Sequence, residues 1–223
     1  MGVGQLRVRR RPGRALSDLS QTFGRSRVEP DQREQLIRSV FSKVAPRYDL
    51  MNDLMSFGIH RLWKRDFVRQ VAPHASESIV DLAGGTGDIT ALLARSGARV
   101  LVCDPGVEMM QVGRARGVEA AGWLAGAGEQ MPIADHSIDV LTIAFGIRNM
   151  TRMDRALAEI FRVLKPGGRF FCLEFSRPAA PLEPFYSSWS RWVIPRLGAW
   201  VAGNPEAYRY LVESIEGFPD QAS

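Results

Sequence analysis

Cysteine is scarce in this chain, whose 223 residues include only Cys103 and Cys172. Each lies within an apolar run with the character of a β-strand, where a thiol behaves as a small hydrophobic side chain. Two such cysteines lack the spacing of a disulfide framework and that of a metal site. The sequence therefore indicates a protein of a reducing compartment, of a length that suits one domain with one hydrophobic core.

Long apolar runs are absent as well. No stretch of the sequence approaches the roughly 18 apolar residues of a membrane-spanning helix. The basic N-terminal stretch is not followed by the apolar segment of a secretory signal. We therefore expect a soluble or at most peripheral protein, located in the cytoplasm or on the inner face of the membrane.

Positive charge is abundant only at the start of the chain. Residues 1–27 contain seven arginines and one acid, Asp18, so their charge exceeds the net charge of +5 of the whole chain. The remaining residues are consequently close to neutral, which argues against a nucleic-acid partner for the folded part. The arginine-rich start is compatible with a contact to anionic lipid, with an extended segment or with organelle targeting.

The glycine-rich stretch 81–88 lacks two common phosphate-binding patterns. It contains neither the G-x-G-x-x-G of dinucleotide-binding proteins nor the Gly-Lys-Ser/Thr of a P-loop. It does follow an apolar strand and precede a helical pattern, and glycines at such a turn let the backbone approach a ligand closely. A ligand without an essential phosphate therefore fits this turn, and a tight turn with no ligand is the alternative.

Two acidic residues flank this turn in the predicted sheet. Asp81 comes at the end of one strand, and Asp104, 23 residues later, ends the next strand. Carboxylates at two neighbouring strand ends suit a cationic, ribose-containing cofactor. The pattern resembles the first motif and its successor in class I methyltransferases that use S-adenosyl-L-methionine (SAM).

Hydrophobic periodicity predicts the elements of the fold. Residues 31–45 are predicted to form a helix, and residues 47–73 one or two helices interrupted near Gly58. From residue 78 the chain alternates: strand 78–83, helix 86–96, strand 99–103, helix 106–116, strands 121–125 and 138–144, helix 152–164 and strand 168–175. This predicts an α/β fold with a Rossmann-like, mostly parallel sheet, helices on both faces, and ligands at the C-terminal strand ends.

Three regions follow from this pattern. Residues 1–28 are predicted to be a disordered basic tail, because they lack apolar periodicity. Residues 29–73 are predicted to be an N-terminal helical cap. Residues 74–223 are predicted to be the ligand-binding core, with a helical insert at 183–203 that either covers an apolar substrate, contacts a membrane interface or packs on the core.

Four motifs make the resemblance specific. They are Tyr48-Asp49-x-Met51-Asn52 with Ser56 and His60, the segment 144–149 with Phe145-Gly146-Ile147-Arg148-Asn149, the segment 162–168 running into Leu173-Glu174-Phe175-Ser176, and the segment 208–215. Together they resemble the ubiquinone/menaquinone biosynthesis C-methyltransferase family over about residues 22–221. The resemblance implies SAM as cofactor and methylation of a ring carbon of a polyprenylated benzoquinol or demethylmenaquinol.

The resemblance also implies a set of cofactor-binding positions. Asp81 is expected at the α-amino group of SAM and Asp104 at the ribose hydroxyls. The full set is Asp81, Gly85, Thr86, Gly87, Asp104, Ala127, Gly128 and Ala144. Two of these regions depart from the family pattern, because Ala127-Gly128 stands where Asn or Asp followed by Ala is usual, and Ala144 where some members have Ser.

The expected catalytic residues are Arg148, Tyr48, Asn149 and His60. A ring carbon becomes a good nucleophile once a neighbouring phenol loses its proton, and the pKa of such a phenol in solution is about 10. Arg148 cannot act as a base, but its charge can stabilise the phenolate. Tyr48 and Asn149 would orient the quinol oxygens, and a water, His60 or a carboxylate would accept the proton. His60 as a structural group and Arg148 as a surface cation are the alternatives.

The family pattern continues beyond the last residues of this sequence with a helix and a β-hairpin, so we expect that hairpin to be missing and one sheet edge to be open. This motivates an alternative function as a truncated, non-catalytic scaffold subunit of a quinone-biosynthesis assembly. Membrane-surface contact, other quinone-biosynthesis proteins and a second copy of the chain remain open as partners. No metal is expected, because the sulfonium of SAM is itself an activated methyl donor.

Overall fold

The structure is a computed structural model that describes residues 20–45, 50, 52–53, 56–175 and 205–218. Seven strands are present in these ranges: β1 Thr22–Phe23, β2 Ser26–Arg27, β3 Ser78–Leu82, β4 Arg99–Asp104, β5 Gly122–Ala125, β6 Ile138–Ala144 and β7 Leu164–Leu173. Six α-helices accompany them: α1 Pro30–Val44, α2 His60–Val71, α3 Asp88–Leu93, α4 Val107–Ala115, α5 Met153–Val163 and α6 Pro205–Gly217. Within this part of the chain, no helix combines the length and the hydropathy that crossing a bilayer requires.

The central sheet has five parallel strands in the order β5-β4-β3-β6-β7. Strand β3 lies in the middle, and its residues Ile79 and Val80 are fully buried. The chain moves from β3 outwards through β4 and β5, then crosses to β6 on the other side of β3. This reversal of strand order places a crevice at the C-terminal ends of β3, β4 and β6, where ligands bind in open α/β sheets.

Helices cover both faces of the sheet. On one face, Phe67 and Val71 of α2 pack with Ile89 and Leu93 of α3 against β3 and β4. On the other face, the apolar stripe of α5 packs against β3 and β6 through Met153, Ala156, Ile160 and Val163. Helix α2, which the sequence assigns to the cap, is thus part of the layer that buries the sheet.

Helix α1 belongs to a separate apolar cluster. Its side chains Ile37, Val40 and Val44 recur at helical spacing and pack against Tyr210 and Leu211 of α6. Helix α1 lines one side of the crevice, and α6 packs against α1.

The predicted disorder of residues 1–28 does not hold for its last part. Strands β1 and β2 pair as an antiparallel hairpin with Gly24 at φ +58°. The ring of Phe23 stacks on Tyr210 with 4.2 Å between centroids, and the backbone N–H of Arg25 donates to Glu213 at 3.0 Å. This short polar segment is ordered by its contacts with α6, which is distant in sequence. Local sequence patterns cannot predict such contacts. Residues 1–19 lie outside the described ranges.

The other predicted elements from residue 60 to residue 175 agree with the structure within a few residues, apart from β7, whereas much of the helix predicted before Gly58 lies outside the described residues. This strand begins at Leu164 instead of residue 168, because the Lys165–Gly168 turn continues the pairing with β6 through a bulge near Ile138 and Val140. Gly167 takes φ +80° there, a conformation that favours glycine. Cys103 is buried as predicted, whereas Cys172 lies on the exposed side of β7. The predicted insert 183–203 lies outside the described residues.

Candidate active site

A cleft opens at the C-terminal ends of β3, β4 and β6. Its cavity volume is about 160 Å³, roughly ten times the minimum volume that holds one water molecule. The cleft therefore has room for an organic ligand. Its described lining consists of Glu34, Ile37, Arg38, Phe41, Lys64, Asp81–Thr86, Asp88, Ile89, Asp104–Gly106, Met109, Ala127–Glu129, Ala144–Gly146 and Asn149–Thr151.

The glycine turn after β3 forms the floor of the cleft. Gly85 and Gly87 have φ values of +54° and +81°, and the N–H of Gly87 donates to the carbonyl of Gly84 at 2.8 Å. A Cβ at Gly84 would lie 2.9 Å from Oδ2 of Asp81. Glycine is thus required at Gly84 for space, and at Gly85 and Gly87 for backbone conformation.

Asp104 joins the glycine turn to the loop after β4. Its Oδ2 accepts a hydrogen bond from the N–H of Gly85 at 2.9 Å, and its Oδ1 accepts one from the N–H of Gly106 at 2.6 Å. Burial raises the pKa of Asp104 to about 6. The two amides orient the carboxylate and leave it acceptor capacity, so that it can receive the hydroxyls of a ribose.

Asp81 is fully enclosed beneath the same turn. Its Oδ2 accepts hydrogen bonds from the N–H and the hydroxyl of Thr90 at 3.0 and 2.7 Å, and its Oδ1 accepts one from the hydroxyl of Thr142 at 3.2 Å. Burial raises the pKa of Asp81 to about 6, despite these hydrogen bonds. Asp81 lines the cleft and organises its base at the same time.

These two acids provide the test of whether SAM fits. Two neighbouring carboxyls whose pKa values are raised by burial are poorly stabilised as anions, and a cation bound beside them would lower both pKa values. SAM carries a sulfonium and an ammonium group together with a ribose. The residues present therefore fit this cofactor in charge and in hydrogen bonding.

The remaining predicted cofactor positions divide into two groups. Gly85, Thr86, Ala127, Gly128 and Ala144 line the cleft. Gly87 does not, but a Cβ there would lie 2.9 Å from the side chain of Val118, so it keeps the turn packed on the chain beneath. Gly128 is buried against Met150, which a Cβ would approach to 2.5 Å. The glycine that stands here in place of the usual Ala thus leaves room for the side chain of Met150.

Arg148 and Asn149 lie on a short 3₁₀ turn, Ile147–Asn149, at the end of β6. Asn149 lines the cleft, and its Oδ1 accepts a hydrogen bond from the hydroxyl of Tyr210 at 3.0 Å. Arg148 is 4% exposed and is not among the described residues of the lining. Its Nη1 donates to Glu174 at 2.5 Å and to the carbonyl of Phe145 at 2.7 Å. Arg148 is thus a buried, ion-paired residue beside the cleft, and not a surface cation.

His60 is buried at the start of α2. Its Nδ1 lies 2.8 Å from the hydroxyl of Ser56, and that hydroxyl donates its proton to the carbonyl of Asn52. Burial lowers the pKa of His60, which keeps the ring neutral at pH 7. His60 is also absent from the described lining of the cleft, and Tyr48 lies outside the described residues.

Two buried cations were not identified from the sequence, Arg33 and Lys64, which are 3% and 6% exposed. Their burial could have been predicted from their spacing along the helices. Arg33 shares the stripe of Ile37, Val40 and Val44 on α1, and Lys64 shares that of His60, Phe67 and Val71 on α2. A lysine or arginine in register with an apolar stripe is a candidate for a buried, paired cation.

Comparison with known proteins identifies the family. The model of the ubiE/COQ5 methyltransferase family matches residues 29–223. The chain is 66% identical over 203 residues to the ubiquinone/menaquinone biosynthesis C-methyltransferase UbiE of Rubrivivax gelatinosus, a match that covers 91% of this chain and 81% of the relative. It is 50% identical over 206 residues to the enzyme of the same name from Acidiphilium cryptum, covering 89% and 83%.

Solved structures with the same architecture are more distant in sequence. A SAM-dependent methyltransferase of Thermotoga maritima has a TM-score of 0.55 at 23% identity and covers 70% of each chain. Phosphoethanolamine N-methyltransferase 1 of Haemonchus contortus has a TM-score of 0.58 at 17% identity, covering 66% of this chain and 33% of that one. These likenesses show the class I methyltransferase fold. With the family match along most of its length, the chain belongs to the ubiE/COQ5 methyltransferase family.

Proposed function

We propose that this methyltransferase moves the methyl group of SAM to a ring carbon of a polyprenylated benzoquinol or demethylmenaquinol. The observation that carries the proposal is the cleft itself. Two buried carboxyls of raised pKa flank a glycine turn, and the turn of Arg148 and Asn149 adjoins them. The names of the relatives, which state C-methylation in ubiquinone and menaquinone biosynthesis, support the same substrate class.

The cofactor would be held between the glycine turn and Asp104. The carboxylate of Asp104 would accept hydrogen bonds from the ribose, and Gly85, which has no side chain, would let the cofactor approach the turn closely. Thr86 and Gly128 line the same cleft. When bound, SAM supplies an electrophilic methyl group on a sulfonium. Ala127 and Ala144 line the cleft but have no polar side chain to offer the cofactor. Asp104 and the glycine turn would therefore provide a larger share of the binding free energy.

Activation of the quinol requires that one phenol of the ring lose its proton. The ring carbon beside the phenolate then forms a bond to the methyl carbon as the carbon–sulfur bond breaks. The ring proton leaves in a second transfer and restores the aromatic quinol. Each proton passes to solvent, and the phenolate of the product takes one proton back, so that one proton is released in total with S-adenosylhomocysteine and the methylated quinol.

Asn149 is the residue we assign to orienting a quinol oxygen. Tyr210 donates to its Oδ1, which leaves the amide N–H groups to act as donors towards the cleft. Arg148 is buried and lies outside the described cleft lining, so we assign it to stabilising the phenolate by its charge without contact. Because Glu174 already pairs with its guanidinium, we expect the phenol pKa to fall by no more than about 1 unit, the lower end of the range for an adjacent cation.

Water is the proton acceptor that we propose. Neither His60 nor Glu174 is among the described residues of the cleft lining. His60 would then serve α2 by holding the turn at Ser56. Substitution His60→Ala should lower stability without changing the pH at which activity reaches half its maximum.

A contact with the membrane surface is the second part of the proposal. Three apolar side chains around the start of α2 are strongly exposed: Ile59 at 44%, Leu62 at 61% and Trp63 at 41%. An exposed apolar patch near the cleft suits a substrate whose prenyl tail stays in the bilayer.

The substrate assignment can be tested with purified protein. Incubation with SAM and short-chain demethylated benzoquinol or naphthoquinol, kept reduced, should give a product with one added methyl on a ring carbon, located by tandem mass spectrometry. The Asp104→Ala variant, for which we expect weaker SAM binding, serves as the matched control. If SAM binds and neither quinol is methylated, or if the methyl appears on oxygen, the substrate assignment is wrong. The scaffold alternative predicts that SAM does not bind at all.

A further inference from the structure

Lys64 is a buried cation on the wall of the cleft. It lies on α2, its side chain is 8% exposed, and its Nζ donates to Oδ2 of Asp88 at 2.6 Å. Asp88 is the first residue of α3, directly after the glycine turn, and its side chain is 34% exposed. Both residues line the cleft beside Gly84–Thr86. Neither has a part in the chemistry described above.

Burial of an ammonium group is costly unless anions or hydrogen-bond acceptors compensate it. A purely structural cation at this position would be expected to direct its head group into the protein. Lys64 and Asp88 instead both contribute to the lining of a ligand cleft, and the side chain of Asp88 is partly exposed. A cation and an anion side by side on such a wall are complementary to a zwitterion.

The position in the cleft selects one part of the cofactor. Asp104, at the end of β4, is assigned to the ribose, and it accepts a hydrogen bond from the N–H of Gly85 near the start of the glycine turn. Asp88 lies at the other end of the same turn, where α3 begins. The far end of the turn is therefore the place for the amino-acid end of SAM. That end is a zwitterion with a carboxylate and an ammonium group.

We propose that Lys64 binds the carboxylate of the methionine moiety of SAM, an inference that rests on the proposed function. Asp88 holds the ammonium of Lys64 at the cleft wall and adjoins the α-amino group of the cofactor. The oxygens of Asp81 already accept from Thr90 and Thr142, so Asp88 is the more accessible of the two carboxylates for this amino group. Lys64 is thus the residue that distinguishes SAM from analogues without a carboxylate.

Calorimetry with SAM and with decarboxylated SAM tests this assignment, because the two ligands differ only in the carboxylate. The parent protein should bind SAM about 10- to 100-fold more tightly than decarboxylated SAM, the range for one hydrogen bond between charged groups. Lys64→Met should bind both ligands alike, with the affinity of the parent for decarboxylated SAM. Arg65→Met, which removes an exposed cation one residue along the same helix, should keep the discrimination of the parent.

Several results would overturn the assignment. If Lys64→Met still prefers SAM by the factor of the parent, the carboxylate is bound elsewhere. If the variant loses the same factor for both ligands, Lys64 only ties α2 to α3. Should Lys64→Met not fold, the double variant with Asp88→Asn removes both charges, and its ratio of affinities is read in the same way. A parent that binds neither ligand contradicts the proposed function itself, whereas a parent that binds both equally contradicts only the role of Lys64.

Discussion

At the residue scale, Asp81 and Asp104 combine a cost in stability with a gain in binding. Burial raises the pKa of each to about 6, above the pKa of about 4 that an aspartate has in an unfolded chain. The folded protein therefore holds more protons than the unfolded chain between pH 4 and 6, and its stability from these groups falls as pH rises through that window. A cation bound beside the two carboxylates would offset this loss of stability.

SAM binding should consequently release protons near pH 6. A cation beside the two carboxyls lowers their pKa values, so part of the protonated population ionises on binding. Calorimetry in buffers of different ionisation enthalpy should detect release at pH 6 that disappears by pH 8. Asp104→Ala should bind SAM at least tenfold more weakly and release fewer protons. Binding that is independent of buffer at pH 6 would contradict the cationic site.

Substitutions of Arg148 should separate its charge from its geometry. Arg148→Lys keeps the charge but loses the planar guanidinium whose Nη1 pairs with Glu174, and Arg148→Met loses both the charge and the guanidinium. Activity should fall in the order parent, Lys, Met with SAM affinity nearly unchanged. The residual activity of the Met variant should continue to rise with pH where that of the parent has levelled off, because the phenol is no longer acidified.

The control for this series is Arg152→Met, which removes a more exposed arginine close by in the chain and should leave the pH profile unchanged. A parent-like pH profile for Arg148→Met would mean that Arg148 holds the turn and Glu174 in place without acting on the phenol.

At the element scale, α1 and α6 hold the turn that carries Arg148 and Asn149. The guanidinium of Arg33 donates to the carbonyls of Arg148 and Asn149 at 3.0 and 3.1 Å, and to that of Thr22 at 2.8 Å. Burial lowers the pKa of Arg33, and the hydrogen bonds of its N–H groups compensate the cost of burying its charge. Tyr210 on α6 completes the support by its hydrogen bond to Asn149.

Arg33→Met should lower the free energy of unfolding by about 2–3 kcal/mol, because it leaves buried carbonyls without a donor. It should also lower kcat with little change in the Kd for SAM, since the turn it holds carries Asn149, which we assign to the quinol. Gln35→Met, an exposed change on the same helix, serves as the control in thermal unfolding and in turnover. Equal losses in both variants would show that Arg33 has no particular part in the turn.

At the scale of the whole molecule, exposed apolar side chains are concentrated where the chain enters α2. Leu62→Glu should reduce sedimentation with vesicles that contain anionic lipid, because it places a charge in the patch of Ile59 and Trp63. Phe161→Glu changes a side chain that is 80% exposed on α5, on the opposite face of the sheet, and should leave vesicle binding unchanged. If both variants bind vesicles as the parent does, this patch is not a membrane contact.

The order of strands and helices and the strand-end acids could be predicted from the sequence because they depend on local rules. Apolar periodicity places α1 and β3 to β6 within a few residues of their observed bounds, and glycine chemistry places the turn after β3. The family, predicted from short motifs such as Phe145–Asn149, is confirmed by the match along residues 29–223. Each of these signals lies within one short stretch of chain.

The tertiary structure alone decided which charged side chains are buried and what they pair with. Arg33 reaches a carbonyl 115 residues away, Lys64 pairs with a carboxylate 24 residues away, and Arg148 pairs with one 26 residues away. Such pairs depend on how helices and strands pack, and sequence spacing contains no measure of that packing. The sequence by itself therefore determined the fold and its cofactor turn, whereas the packing of α1, α2 and α6 on the sheet determined which cations are buried and which groups they pair with.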